Sequence, residues 1–158
     1  MNTVLLRVLA VVLAGVYPEA LEEKVVPFNA MPAECAAVYD ADIRQLRQAT
    51  ATEVITSDLD GDKIPELLIF NGENGSGGEG WAVMRKDNGK YRKAGDVFGI
   101  LYKSGNGLIV ESPCGWAEAT WSYYTIEHGK LVCKFTIKVK YSKPVRQEPL
   151  SIKINFNK

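Results

Sequence analysis

The residues best suited to chemistry lie in Ser57–Phe70, S-D-L-D-G-D-K-I-P-E-L-L-I-F. Four carboxylates fall there, Asp58, Asp60, Asp62 and Glu66, at positions 1, 3, 5 and 9 counted from Asp58. Acids alternating with small or turn-forming residues make a tight, oxygen-rich loop. Hard cations such as Ca²⁺ take several oxygen ligands from carboxylates, backbone carbonyls and water. The ligand set expected for one Ca²⁺ is Asp58, Asp60, Asp62 and Glu66 by side chain and Ile64, at position 7, by its carbonyl. Without a cation these charges repel one another. The alternative is an acidic turn that binds no metal.

The spacing separates this loop from an EF-hand, which needs Gly at position 6 and Glu at position 12. Here those positions hold Lys63 and Ile69. Pro65 also steers Ile64 away from helical backbone. The following Leu67-Leu68-Ile69-Phe70 is an apolar run of strand length. A loop that exits into a strand resembles the D-x-D/N-G-D-G-x-x-D/E-hydrophobic loop of the FG-GAP/VCBS family, as in integrin-α-like propellers and many secreted bacterial proteins. The resemblance runs over Asp58–Phe70 and implies calcium bound between two strands. The family usually has Gly where this chain has Lys63. If that position needs positive φ, a Lys there costs on the order of 1 kcal/mol. A single copy of the loop cannot build a propeller, which repeats its blades.

The loop must be held by flanking elements. Glu53–Thr56 reads as the strand entering it. Upstream, Pro32 suits the first turn of a helix, and Cys35, Tyr39, Ile43 and Leu46 form one apolar stripe, so a helix is expected over Pro32–Gln48. Downstream, turn signals at Asn88-Gly89, Ser104–Gly107 and His128-Gly129 separate short strands, the pattern of an antiparallel meander. Leu131, Cys133, Phe135, Ile137, Val139 and Tyr141 alternate with polar residues, as do Leu150, Ile152, Ile154 and Phe156. Strict alternation gives one buried and one wet face. The lysines of that wet face would either dock an acidic partner or simply discourage edge pairing. The expected fold class is α+β: an N-terminal helix packed on a mainly antiparallel, β-rich sheet.

Other chemistry is poorly represented. Gly75-Ser76-Gly77-Gly78-Glu79-Gly80 matches G-x-G-x-x-G, but a dinucleotide site needs a helix after it, and Trp81–Met84 reads as a strand. Asn74-Gly75-Ser76 is a glycosylation sequon. The lone histidine, His128, sits in a hairpin turn, and no Ser or Cys carries a nucleophile motif. No His/Cys cluster has zinc spacing. No catalytic residue is assigned. Trp116, Trp121, Tyr123 and Tyr124 would stack on sugars if exposed and form core if buried. Three cysteines leave three pairings. Cys114–Cys133, within one meander, is the expected disulfide, with Cys35 free on the helix stripe.

Composition narrows the class. The chain has 158 residues, no net charge and 46% hydrophobic residues, fitting one globular domain without a nucleic-acid-binding surplus. Residues 1–20 resemble a signal peptide, with an apolar core at Val8–Ala14 too short to span a bilayer. A buried N-terminal strand is the other reading. Residues 21–158 then form the mature domain, secreted or periplasmic, with no membrane attachment once the leader is removed. The expected function is a non-enzymatic binding module with structural calcium and an unidentified protein or glycan partner, in one version an inhibitor or immunity-type protein. The alternatives are a hydrolytic enzyme of the cell envelope with a calcium-shaped cleft, or a carbohydrate-binding module.

Overall fold

Each strand pairs antiparallel with its sequence neighbour, in two successive meanders. The computed structural model describes residues 3, 5, 6, 9, 21–39, 44–45, 47–74, 78–114, 117–141 and 149–157. The first sheet comprises β1 (Glu23–Pro27), β2 (Ala51–Ser57), β3 (Glu66–Asn74), β4 (Gly78–Asp87) and β5 (Lys90–Phe98), in that order. The second comprises β6 (Ile100–Lys103), β7 (Leu108–Pro113), β8 (Glu118–Glu127), β9 (Lys130–Tyr141) and β10 (Pro149–Phe156). The chain passes between them at Gly99, whose φ is +137° and where a Cβ would collide with the Glu111 carbonyl. Only glycine fits there. The β4–β5 and β8–β9 turns each take positive φ at both central residues, Asn88-Gly89 and His128-Gly129. That backbone matches the twist of a two-residue hairpin.

The two sheets enclose a core. Ile55, Leu59, Leu68, Trp81, Val83 and Val97 of the first half meet Leu101, Leu108, Val110 and Ile126 of the second. Leu59 belongs to the acidic loop, so the loop is pinned by its own apolar residue. On the outer face of the first sheet, Val54, Ile69 and Met84 pack with Cys35. On the outer face of the second, Tyr102, Ile109, Trp121, Phe135, Ile137 and Val139 form another layer, with Leu5 and Leu9 against it.

Two expectations change. Among the described residues the expected Pro32–Gln48 helix is not continuous: helix α1 spans Ala33–Ala36, the chain turns through Ala37–Tyr39, and Arg44, Gln45 and Arg47 are helical again. Cys35 and Tyr39 are both buried, but they serve different neighbours. Cys35 packs on the sheet, while Tyr39 meets the Phe28 ring edge-on at 5.2 Å. Their i, i+4 spacing therefore marks two local contacts rather than one stripe. Ile43 and Leu46 lie outside the described residues. The Cys114–Cys133 disulfide is not formed; all three cysteines are free thiols. Cys114 bonds to Glu118 at the start of β8, whereas Cys133 pairs with Tyr124. Six residues of strand at about 3.3 Å each separate those positions, against a Cα separation of about 6 Å in a disulfide.

β9 obeys its alternation but changes layer. A bulge between Tyr123 and Tyr124 leaves Lys134 unmatched, so Tyr123 pairs with Phe135 and Tyr124 with Cys133. Leu131 thus joins the core between the sheets, while Phe135, Ile137 and Val139 join the outer layer. An extra residue flips the face while preserving parity. Of the polar row, Lys134 pairs with Glu127 at 2.8 Å and Lys140 with Glu118 at 3.0 Å. These cross-strand ion pairs fit a solvated face.

Candidate metal centre

The acidic loop is the connection between β2 and β3, closed by the Ser57–Glu66 pair. Its carboxylates first organise the backbone. Asp58 accepts from the Gly61 N–H at 2.7 Å and the Lys63 N–H at 3.1 Å. Asp60 accepts from Asp62 N–H at 3.0 Å, and Asp62 from Ile64 N–H at 2.7 Å. These are local turns that Asp makes readily. Glu66 acts at longer range, accepting from the Leu59 N–H at 2.7 Å. That bond ties the first strand residue after the loop to the loop's apolar anchor.

Three of the four acids converge. One carboxylate oxygen each from Asp58, Asp60 and Glu66 lie within 4.8 Å of one another. Oxygens on opposite sides of a Ca²⁺, each at about 2.3–2.6 Å, would be about 5 Å apart, so the trio spans a distance one such ion could bridge. Asp62 is not in that trio. Its other oxygen accepts from Arg85 Nη2 at 3.3 Å. Ile64, expected to offer its carbonyl, is 46% exposed.

Arg85, on β4, was not expected at this site. Its Nε donates to Asp60 at 2.9 Å, so one guanidinium faces both Asp60 and Asp62. The hydrogen bond to Asp60, ahead of the surrounding acidic charges, holds the guanidinium in its protonated form. A sequence signal exists: Arg85 has the same strand phase as Trp81 and Val83, both buried between the sheets. A cation in an inward row requires an acidic partner.

Glu66 is 1% exposed. Burial pushes its carboxyl up to about 7; the Leu59 N–H opposes the shift, while Asp60, Asp62 and Asp58 add to it. Beside it in the ladder, Ser57 has a buried hydroxyl with no hydrogen-bond partner among the described residues. A buried polar atom normally finds a partner, whether protein, water or ion. Two residues adopt left-handed backbone, Gly61 at φ +82° and Lys63 at φ +68°. A Cβ on Gly61 would also press on the Asn106 amide of the β6–β7 turn, at 2.5 Å.

The other candidates separate from this site. Trp121 and Tyr123 are buried in the outer layer of the second sheet, so they are core, and Trp116 lies outside the described residues. His128 occupies its hairpin turn. Gly75–Gly77 lie outside the described residues, but Gly78–Asp87 is strand where a dinucleotide motif would open a helix. No helix among the described residues is long and apolar enough to cross a membrane.

No protein-family model matches the chain, and no curated protein matches it. A solved structure described as a Xanthomonas type IV secretion system related protein is similar at 20% identity and a TM-score of 0.49. The match covers 66% of this chain and 54% of that one, so it spans about half of that protein. A likeness this distant carries no argument about function.

Proposed function

We propose that the Asp58–Glu66 loop holds one Ca²⁺ in an exported, non-enzymatic binding module of the FG-GAP/VCBS type. The observation that carries this reading is the convergence of Asp58, Asp60 and Glu66 within 4.8 Å. Two features support it. Lys63 adopts φ +68° at the position where the resembled family has Gly. The buried Ser57 hydroxyl beside Glu66 has no hydrogen-bond partner among the described residues. In this reading Asp58, Asp60 and Glu66 ligate directly, Asp62 shares its charge between Arg85 and the ion, and Ile64 supplies its carbonyl. The ion offsets the desolvation of Glu66 and fixes the register of β2 on β3. Its role is structural, and the partner is a protein or glycan met outside the cytoplasm, in the periplasm or secreted. An inhibitor or immunity-type role fits the size of the chain. A cell-envelope hydrolase with a calcium-shaped cleft, or a carbohydrate-binding module, is the alternative class. Calorimetric titration of Ca²⁺ into chelator-stripped protein tests the reading. One equivalent bound, with binding lost in Asp58→Ala, supports it; no heat at millimolar calcium overturns it.

A second reading of the N-terminal segment has its own observation. Leu5 is buried against the outer layer of the second sheet, and Leu9 packs there too. A segment that stays would cover that face, whereas a cleaved leader would uncover it. The intact mass of the natively produced protein decides between them. A chain beginning between Gly15 and Leu21 supports export by leader cleavage, and a full-length product supports the retained segment.

A further inference from the structure

At the far end of β3 from the acidic loop, the first sheet carries a pocket of about 290 Å³. Its carboxylates are Glu23, Glu53 and Glu79; its aromatic lining is the part-buried Phe70 with the buried Tyr39 and Trp81. The topology puts them together for a simple reason. Glu23 pairs with Ile55 and Val25 with Glu53, so Glu23 and Glu53 share one sheet face. Phe70 pairs with Trp81 on the adjoining strands, their rings edge-on at 5.6 Å. Glu79 is two residues before Trp81 on β4 and so keeps its phase. We propose that this pocket binds an organic cation, a primary ammonium or guanidinium on a short alkyl stem, between the glutamates and the aromatic rings.

Charge, shape and spacing each favour that ligand class. Arg47 also lines the pocket and already has an interaction partner. Even with Arg47 set against one carboxylate, two of the three negative charges remain. Partial burial, then the charges of Glu79 and Glu53, push the Glu23 carboxyl above its ordinary range. Carboxylates beside the part-buried Phe70 ring suit a cation on a short stem, because a carboxylate and an aromatic ring both attract positive charge. A bare divalent metal fits less well. Metal binding needs carboxylate oxygens within a few ångströms of one another, and among the described residues only Asp58, Asp60 and Glu66 reach that spacing. The volume is at the small end for ligand sites, so it admits a head group rather than a large molecule. The cation could come from a free amine or from a Lys or Arg side chain of a protein partner; the pocket chemistry is the same. The proposal stands whether or not the loop binds calcium.

The test uses the full chain, with calorimetry and tryptophan fluorescence, in chelator and again in calcium. The probes are cadaverine, an N-acetylated Gly-Lys-Gly amide, and 1-pentanol as an uncharged control. Amine binding at least roughly tenfold tighter than pentanol binding is expected, weakened roughly tenfold by Glu53→Gln and by Glu79→Gln. Both variants keep side-chain volume and remove repulsion, and their melting curves check that they fold. Cadaverine binding alone points to a free amine as the source, and comparable peptide binding points to a protein side chain; either supports the site. No amine binding, equal binding of pentanol, or unchanged affinity in both variants overturns it.

Discussion

Arg85 donates from Nε to Asp60 at 2.9 Å, and this places a built-in cation against a carboxylate that also faces Asp58 and Glu66. If the loop takes calcium as proposed, the guanidinium and the ion would compete for the same negative charge. Arg85→Gln is therefore expected to lower the melting temperature in chelator and to tighten calcium binding by roughly tenfold. Calorimetry of the variant checks this. Unchanged or weaker binding would show that Arg85 and the ion do not share Asp60.

The strained backbone at Lys63 gives a second test. Its φ of +68° is costly for a residue with a side chain. Lys63→Gly should stabilise the protein by about 1 kcal/mol in chelator. It should also tighten calcium binding by removing a nearby positive charge. Denaturant midpoints with and without calcium separate the two effects. A loss of stability would mean that the Lys63 side chain makes a contact worth more than the strain.

Gly61 is expected to resist substitution for two separable reasons. Gly61→Ala meets both left-handed backbone and the Asn106 amide. It should cost about 1–2 kcal/mol from φ alone. Asn106→Ala should relieve only the steric part, so the double variant should recover some but not all of the loss. Additive costs in the two single variants would show that the Asn106 contact is immaterial.

Much of this molecule is legible in its sequence because the signals are local. The turns at Asn88-Gly89 and His128-Gly129 need only their own residue types, and the positive φ angles follow. The Asp58–Glu66 spacing places three carboxylates together because consecutive Asp turns keep them on one side of a short loop. What the sequence conceals is long-range. Arg85 lies 25 residues from Asp60, and only the β3–β4 pairing brings them together. The bulge at Lys134 leaves the alternation of β9 intact, so nothing in the pattern marks the change of layer. The stripe through Cys35 and Tyr39 imitates a long helix because two neighbouring contacts share helical spacing.

The cysteines provide a chemical check on register. Cys114 and Cys133 sit at opposite ends of their stretch of β8. Thiol titration of denatured, natively produced protein should give three free thiols, consistent with their state here. A linked Cys114–Cys133 peptide in a non-reducing map would require a different β8–β9 register.

Stability should depend on pH through Glu66. Its folded carboxyl titrates at about 7, above the ordinary value of 4.5. The folded state therefore holds a proton that the unfolded chain has released. In chelator this contribution is full below about pH 4.5 and is lost as pH rises through about 7. Glu66→Gln should flatten that fall and abolish the response to calcium. Melting curves at pH 5 and pH 8 give the comparison. A wild type more stable at pH 8 than at pH 5 in chelator would contradict the assignment.

Thermal melting of the wild-type chain in chelator and in increasing calcium tests the calcium site most directly. An ion that binds the folded loop and not the unfolded chain raises the melting temperature with concentration, following RT ln(1 + [L]/Kd). The expected result is a progressive rise into millimolar calcium that is lost in Asp60→Ala, with that variant still folded in chelator. Superimposable wild-type curves with and without calcium would mean that Asp58, Asp60 and Glu66 form only an acidic turn held by Arg85.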